Sequence, residues 1–138
     1  MKLQEHLSIT YLPTTSLIPN SHNARIHSKR QIQQIAASIR TFGFTNPILI
    51  DHTNTIIAGH GRVAGAQLLG IDKVPTIRLE GLSADEIRAY ILADNQLATK
   101  AGWDKEILAI ELQQLMTLDS DLDITITGFE IPEIDLIL

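Results

Sequence analysis

The hydrophobic pattern of the chain changes its period several times, and each change predicts a boundary between secondary structures. Apolar residues recur every three or four positions from Ile32 to Phe42, which is typical of an amphipathic helix. Ser28 and Gln31 form an S-x-x-Q capping box just before this stripe, and Gly43 follows it. The pattern therefore predicts a first helix that begins after Ser28 and ends at Gly43.

Short apolar runs bounded by turn residues predict four strands. These runs lie at residues 9–12, 48–50, 55–58 and 74–79. Pro13 closes the first run, because proline cannot donate to a sheet ladder. A polar turn at residues 51–54 joins the second run to the third, so these two runs predict a β-hairpin.

The chain from residue 82 onward is predicted to be mainly helical. Ser83 and Glu86 form a second capping box ahead of an amphipathic segment. Asp104 is a suitable N-cap for a further long helix, and Pro132 fits the first turn of another helix near the chain end. Residues 119–123 predict an acidic turn between those two helices.

Together these elements predict an α+β fold, in which helices surround a small mixed β-sheet of about four strands. We expect residues 1–81 to form the α/β core. Residues 82–138 would form a helical extension of the same domain that continues into a further domain beyond the chain end. A chain of 138 residues suits one compact domain with such an extension.

The segment at residues 55–79 combines clear local structure with a candidate ligand site. A short strand runs into Gly59, His60, Gly61 and Arg62, which we call the glycine turn, and a short helix follows. Glycines bend the backbone with no Cβ in the way, so the unpaired N–H groups at the helix start can face an anion. The guanidinium of Arg62 would add a positive charge beside them and could donate two hydrogen bonds to the same anion.

Composition removes several classes of protein. The chain has no cysteine, so it can form neither a disulfide nor a thiolate metal site, and it offers no thiol nucleophile. No apolar run approaches the roughly 20 residues that a membrane helix needs, and residues 1–10 lack the apolar stretch of a signal peptide. We therefore expect a cytoplasmic protein with no membrane partner.

Charge is distributed unevenly along the chain, although the net charge is only −5. Residues 1–50 hold five Lys or Arg and one acid, residues 51–100 hold five and six, and residues 101–138 hold one and nine. The first part could meet a polyanion, whereas the last part could meet a basic partner or form a solvated acidic face. Both interpretations of the acidic end stay open.

A polar, turn-rich loop at residues 18–27 carries two histidines and Arg25. We predict that His22 and His27 are exposed loop histidines, because metal ligation would need partners from elsewhere in the chain. Three cations on the first helix lie off its apolar stripe. They form either solvated surface or, with Arg25, a basic face for phosphates.

The glycine turn also satisfies the G-x-G-x-x-A pattern of dinucleotide-binding folds, with Glu80 as a candidate ribose ligand at the end of the next strand. Two observations disfavour that interpretation. The segment between Gly61 and Gly70 offers only about two helical turns, and the chain is too short for two mononucleotide-binding halves. The P-loop pattern does not match either, because no Lys-Ser or Lys-Thr follows at the required spacing.

Several motifs follow one another in a specific order. They are Asn23-Ala24-Arg25, Phe42-Gly43-Phe44-Thr45-Asn46-Pro47-Ile48, Gly59-His60-Gly61-Arg62, Leu69-Gly70, Val74-Pro75, Leu82-Ser83-Ala84-Asp85-Glu86 and Asp94-Asn95-Gln96-Leu97-Ala98. In this order they resemble the ParB and sulfiredoxin superfamily, or ParB-like nuclease domain. The pattern is most similar to the N-terminal ParB-like domains of phage and mobile-element DNA methyltransferases, which also have a tryptophan and a Thr-Gly-Phe, here Trp103 and residues 127–129. We expect Trp103 to pack in a core.

The resemblance implies a nucleotide-phosphate site assembled from three places. In ParB proteins the glycine turn reads Gly-Glu-Arg-Arg and holds cytidine triphosphate with magnesium, whereas here His60 replaces the acid and Gly61 replaces one arginine. The implied phosphate- or nucleotide-binding residues are Gly59, His60, Gly61, Arg62, Asn23, Arg25 and Asn95. Asp94 is the implied Mg2+ ligand. His60 is the candidate catalytic residue, because an imidazole can shuttle a proton.

The resemblance implies a ParB-like domain that binds nucleotide or DNA phosphates. We expect it to serve a DNA transaction as a regulatory or DNA-positioning module of a DNA modification methyltransferase. The expected cofactors are Mg2+ and a nucleoside triphosphate. The expected partners are nucleotide, DNA (directly or through an attached domain) and a second copy of the chain in a homodimer.

Other activities of the same superfamily are open alternatives. One is a small-molecule phosphotransferase similar to a serine kinase, and another is a nuclease, so any turnover would be phosphotransfer or hydrolysis of a phosphodiester or nucleotide. Sulfiredoxin chemistry is excluded, because His60 stands where sulfiredoxins have their catalytic cysteine. A protein-interaction domain that uses the acidic end is a third alternative. We find no convincing helix-turn-helix for reading DNA sequence.

Overall fold

The computed structural model describes residue 1, residues 3–118 and residues 122–138 of the chain. Its elements are β1 (Ile9–Pro13), α1 (Lys29–Phe42), β2 (Ile48–Ile50), β3 (Ile56–Ala58), α2 (His60–Leu68), β4 (Lys73–Arg78), α3 (Ala84–Lys100), α4 (Lys105–Leu118) and α5 (Ile131–Ile137). Two short 3-10 helices occur at Thr14–Ser16 and Ile124–Thr127. These elements confirm the predicted α+β fold and its C-terminal helices. Residues 119–121 of the predicted acidic turn lie outside the described part of the chain.

The four strands form one mixed sheet in the order β1-β4-β2-β3. β1 pairs with β4 and β2 pairs with β3 in the antiparallel sense, whereas β2 and β4 run parallel. The pairing of β2 with β3 confirms the predicted hairpin. Because parallel strands need a crossover connection, α2 lies between β3 and β4 in the chain.

The hairpin turn is fixed by side chains at both of its ends. Asp51 Oδ1 accepts hydrogen bonds from Thr53 N at 2.8 Å, Thr53 Oγ1 at 2.8 Å and Thr55 N at 3.0 Å. Burial alone would raise the pKa of Asp51, but these hydrogen bonds outweigh burial and hold the pKa below its ordinary value. Arg78 donates to the carbonyl oxygen of Asp51 and to Asn54 Oδ1. The start of β3 is therefore held in place from two sides.

Both predicted capping boxes are present. Ser28 Oγ accepts from Gln31 N at 3.1 Å, and Gln31 Oε1 accepts from Ser28 N at 3.4 Å, so α1 begins as predicted. Ser83 and Glu86 make the same reciprocal pair at the start of α3, with distances of 3.2 and 3.1 Å. In both cases, two backbone N–H groups that the helix leaves unpaired find side-chain partners.

Helices α1 and α2 approach each other closely because α2 presents glycines to α1. A Cβ added to Gly61 would lie 2.9 Å from Ile35 Cδ1, and one added to Gly65 would lie 3.1 Å from Ile35 Cγ2 and 3.3 Å from the backbone nitrogen of Ala36. Helix α2 also contributes two residues to the main core. Its buried members are Leu17, Ile48, Ile50, Ile56, Val63, Ala66 and Val74.

The described chain divides into two compact units, Met1–Ala98 and Thr99–Leu138. The first unit contains the sheet and the core described above. The second has a small core of its own, formed by Leu112, Ile124 and Ile134. The division predicted at residue 81 is a different one, and it stays a prediction about domain organisation. Within the described ranges, no helix combines the length and hydrophobicity that crossing a membrane requires.

Trp103 does not pack in a core, so that prediction is wrong. The side chain is 67% exposed, and its ring makes a tilted contact with Phe129 at a centroid distance of 5.4 Å. Trp103 lies in the short link before α4, where one aromatic contact leaves most of the indole in solvent.

We predict that Gly59→Ala lowers the free energy of unfolding by about 3 kcal/mol, because it combines backbone strain with a steric clash. Gly59 has φ +110°, and an added Cβ would lie 2.6 Å from Ile48 Cδ1. Gly128→Ala is the matched control, since Gly128 has φ +87° but an added Cβ meets nothing within 4 Å. We expect that control to cost about 1 kcal/mol in urea denaturation. Equal losses in the two variants would contradict the packing described at Gly59.

Candidate functional site

A cleft of about 250 Å³ opens where β3 turns into α2. Its walls come from the loop before α1, from the glycine turn and from α3, three segments that are far apart in the sequence. The lining residues are Asn23, Arg25, His27, Ile35, Ile57, Ala58, Gly59, His60, Gly61, Arg62, Asp94 and Asn95. We call this the glycine cleft. The structure brings together in it every residue that the sequence predicted for binding phosphate, nucleotide or metal, while the role of each residue stays a prediction.

The glycine turn places the start of α2 at the wall of the cleft. Gly59 adopts the left-handed conformation, with φ 110° and ψ 21°, and acts as the N-cap of α2. The amide of Val63 donates to the carbonyl oxygen of Gly59 at 2.9 Å, which is the first turn of the helix. The amides of residues 60–62 therefore have no partner within the helix. Together with the helix dipole they favour an anion at this end of the cleft.

Arg62 is anchored beside these amides. Its Nη2 donates to the carbonyl oxygen of Pro47 at 3.0 Å, and a Cβ on Gly59 would lie 3.0 Å from the same nitrogen. Burial lowers the pKa of Arg62 and the charge of Asp94 acts in the opposite sense, yet an arginine keeps its charge at any physiological pH. The buried Nε of Arg62 has no hydrogen-bond partner within the described residues. The guanidinium is thus a fixed cation that retains N–H groups able to donate to a ligand.

His60 is held by a backbone hydrogen bond. Its Nε2 accepts from the amide of Asn20 at 3.0 Å, which requires a neutral ring that carries its proton on Nδ1. Burial, and after it the charge of His27, lower the pKa of His60 below the ordinary 6.5. While this bond persists, Nε2 cannot accept a proton from a substrate. Nδ1–H remains able to donate to an anion.

The loop before α1 is shaped by asparagine side chains. Asn20 Oδ1 accepts from His22 N at 3.0 Å, and Asn23 Oδ1 accepts from Arg25 N at 3.1 Å. Such side-chain turns fix the loop without secondary structure. The Arg25 side chain stays exposed at the edge of the cleft, where it can reach an anion.

Asp94 and Asn95 supply oxygen atoms from α3. The amide Nδ2 of Asn95 donates to the carbonyl oxygen of Ile91 at 2.8 Å, so its Oδ1 is the atom left to bind a ligand. Asp94 is exposed, and its charge, after burial, contributes to raising the pKa of Tyr90. No group of three His, Cys, Asp or Glu residues that could hold a metal exists among the described residues. A magnesium ion here would complete its shell with phosphate oxygens and water.

His27 is a lining residue that the sequence did not indicate. It was predicted to be an exposed loop histidine, which holds for His22 but is wrong for His27, whose side chain is half-buried. A Cβ on Gly61 would lie 3.0 Å from both Nε2 and Cε1 of His27, so the ring packs directly on that glycine. The available signal was that His27 directly precedes the capping residue Ser28, which ties its position to the start of α1.

Comparison with protein-family models matches residues 2–96 to the ParB N-terminal domain and residues 106–138 to the ParB-methyltransferase HTH domain. Among curated proteins, the chain is 50% identical over 84 residues to the ParB-like nuclease domain-containing protein YnaK of Escherichia coli (strain K12), covering 61% of this chain and 97% of that protein. It is 31% identical over 93 residues to the nucleoid occlusion protein of Bacillus subtilis (strain 168), covering 63% of this chain but only 32% of that relative.

Two of the solved structures that share the fold illustrate the likeness. ParB of Caulobacter crescentus, C-terminally truncated and complexed with CTP-gamma-S, superposes with a TM-score of 0.75 at 22% identity over 92% of this chain and 74% of that chain. Sulfiredoxin from Arabidopsis thaliana superposes with a TM-score of 0.51 at 20% identity over 61% of this chain and 97% of that chain. At these identities the likeness is one of fold alone.

The match of residues 106–138 overturns the prediction that the chain holds no helix-turn-helix. The motif was missed because the matched range contains α4 and α5, and the link between these helices, residues 119–130, is much longer than the short turn that usually identifies the motif. A 3-10 helix at Ile124–Thr127 lies between them, with Asp123 Oδ1 as its cap, accepting from Thr125 N at 2.9 Å.

We predict that the stability of the protein falls as the pH drops below about 6.5, in part because of His60. The unfolded chain protonates this imidazole near the ordinary value of 6.5, whereas the folded pKa is lower, so the unfolded state binds more protons in that window. The contribution of His60 to the free energy of unfolding is fully present above pH 6.5, and it is lost as the pH falls through the pKa of the folded state. Urea denaturation of His60→Gln should show a smaller loss than the parent between pH 7 and pH 5, while the exposed control His22→Gln should match the parent. If the free energy of unfolding fell equally with pH in His60→Gln and in the parent, the result would contradict the environment described for His60.

Proposed function

Because the chain belongs to the ParB N-terminal domain family, we propose that the glycine cleft binds the phosphates of a nucleoside triphosphate. The observation that carries this proposal is the convergence of three segments on one cleft at the start of α2. Free helix amides, the anchored Arg62 and the exposed Arg25 give the cleft the donors and charge that phosphate oxygens require. A structural relative of the same fold was solved with CTP-gamma-S, so CTP is the first nucleotide to test.

Magnesium fits the oxygen atoms on the α3 side of the cleft. Asp94 would supply one carboxylate and Asn95 Oδ1 one amide oxygen, both from α3. Mg2+ commonly binds through one or two protein oxygens together with substrate phosphates, and it retains several waters. When bound, it would offset phosphate charge that Arg25 and Arg62 leave uncompensated.

Nucleotide binding without turnover is the role that the contacts of His60 favour. A general base has to accept a proton from the attacking group, and Nε2 of His60 is occupied by the amide of Asn20. The other titratable group on the Mg2+ side, Asp94, would be engaged by the ion. The cleft is thus arranged to hold phosphates, and His60 is not free to act as the base that the superfamily's phosphotransferase and nuclease activities would require.

We propose that nucleotide binding regulates or positions a DNA-acting protein, with a DNA modification methyltransferase as the favoured context. The match of residues 106–138 to a ParB-methyltransferase HTH domain supports that context. Residues 101–138 hold nine acids and one lysine, which opposes the many phosphate contacts of non-specific DNA binding. Contact with DNA would then come from the basic N-terminal part or from an attached domain.

We predict that Arg62→Ala abolishes CTP binding measured by isothermal titration calorimetry in the presence of Mg2+, because the variant removes the fixed cation beside the helix amides. Arg25→Ala should weaken binding about tenfold, since one exposed charge-assisted contact is lost. The Arg25 side chain is exposed and makes no hydrogen bond to any described residue, so this variant separates binding from stability.

Arg40→Ala is the matched control, because Arg40 is exposed in the last turn of α1 and does not line the cleft. It should bind CTP as the parent does. Thermal melting should accompany each titration, since Arg62 also donates to Pro47. Unchanged affinity in both Arg25→Ala and Arg62→Ala would refute the cleft as the nucleotide site.

A further inference from the structure

The imidazole of His27 lies over the first turn of α2. The ring edge formed by Cε1 and Nε2 stands 3.0 Å from the position of a Cβ on Gly61, so it occupies the space that any side chain at residue 61 would fill. This position is next to the amides of residues 60–62, which have no partner inside the helix. A histidine from a different segment is therefore packed against the anion-binding end of α2.

His27 has donor capacity that the fold does not use. Its ring nitrogens make no hydrogen bond to any described residue, although the side chain is half-buried and lines the cleft. The ring is close enough to His60 for their charges to interact. By contrast, the Nε2 of His60 is occupied by Asn20. Of the two imidazoles in the cleft, His27 is the one whose hydrogen-bonding groups are left for a ligand.

The charged groups that face this space come from every wall of the cleft. Arg25 belongs to the loop, His60 and Arg62 to α2, and Asp94 to α3. Arg62 already donates to Pro47, and Asp94 opposes an anion unless Mg2+ is bound. A phosphate at the start of α2 therefore has one exposed and one anchored arginine to balance its charge. The neutral His60 can add the Nδ1–H as a donor, which leaves His27 as the other imidazole of the cleft.

We propose that His27 is a phosphate-binding residue of the glycine cleft and that its protonation tightens the binding of polyphosphate. The proposal rests on the proposed function and adds a residue and a form of regulation to it. A protonated imidazole donates from both nitrogens and carries charge, whereas a neutral one offers a single N–H. Imidazoles change charge between pH 5 and pH 8, so affinity for the phosphates should follow pH in the physiological range.

The test uses inorganic tripolyphosphate, which carries the phosphate chemistry without a base or sugar, and calorimetry at about pH 6 and about pH 8. His27→Asn should bind about tenfold more weakly than the parent at the lower pH and within about twofold of the parent at the higher pH. The ligand's own titration is the same for both proteins, so it cancels in the comparison. His22→Asn is the matched control from the same loop and should behave as the parent, because His22 is exposed and does not line the cleft.

A second measurement does not depend on a variant. In NMR spectra of the parent chain, the ε1 proton of His27 should move when tripolyphosphate is added, and its titration midpoint should rise. The resonance of His22 should do neither.

The outcomes separate this inference from the proposed function. Loss of binding in Arg25→Ala and Arg62→Ala, with parent-like binding in His27→Asn and a silent His27 resonance, would overturn the role of His27 and leave the cleft intact. Absence of tripolyphosphate and CTP binding by the parent at both pH values would overturn the proposed function and this inference together.

Discussion

The backbone conformation of Gly59 is the constraint on which the glycine cleft depends. A left-handed residue at this point lets β3 turn directly into α2, so that the helix and its unpaired amides begin at the strand end, where residues 59–62 line the cleft. A Cβ at residue 59 would clash with the side chain of Ile48. It would also crowd the guanidinium of Arg62, which lies close to this glycine. Gly61 and Gly65 are constrained in the same way, because side chains at these positions would prevent the close approach of α1. That approach places His27, which lies just before α1, against Gly61.

Much of this arrangement could be predicted from local signals. The capping box at Ser28, the hairpin at residues 51–54 and the glycine turn each depend on a few neighbouring residues, and the structure confirms all three. The three-part cleft was expected from the family's order of motifs, since no local rule brings Asn23 and Asp94 together. His27 was missed because its burial results from the packing of α1 on α2. Trp103 was misjudged because a large apolar side chain favours burial only where enough structure surrounds it.

The cleft and the C-terminal unit differ in what they can bind. The cleft brings cations together with unpaired helix amides, whereas residues 101–138 are strongly acidic. Residues 106–138 also match a methyltransferase-associated HTH model. Phosphate binding, as proposed for the first unit, depends on positive charge, whereas a basic partner of the second unit would depend on negative charge. The two kinds of binding are therefore physically compatible. The two histidines of the cleft, His60 and His27, differ in the hydrogen bonds that they make. One is held as a neutral donor by Asn20, and the other remains available to a ligand.

The central claim is that the start of α2 holds nucleotide phosphates. A crystal structure of the chain grown with CTP and Mg2+ tests it most directly. The account predicts phosphate density within hydrogen-bond distance of the amides of Gly61 and Arg62, with the metal beside Asp94. Density for the nucleotide at any other surface, with an empty glycine cleft, would contradict the account.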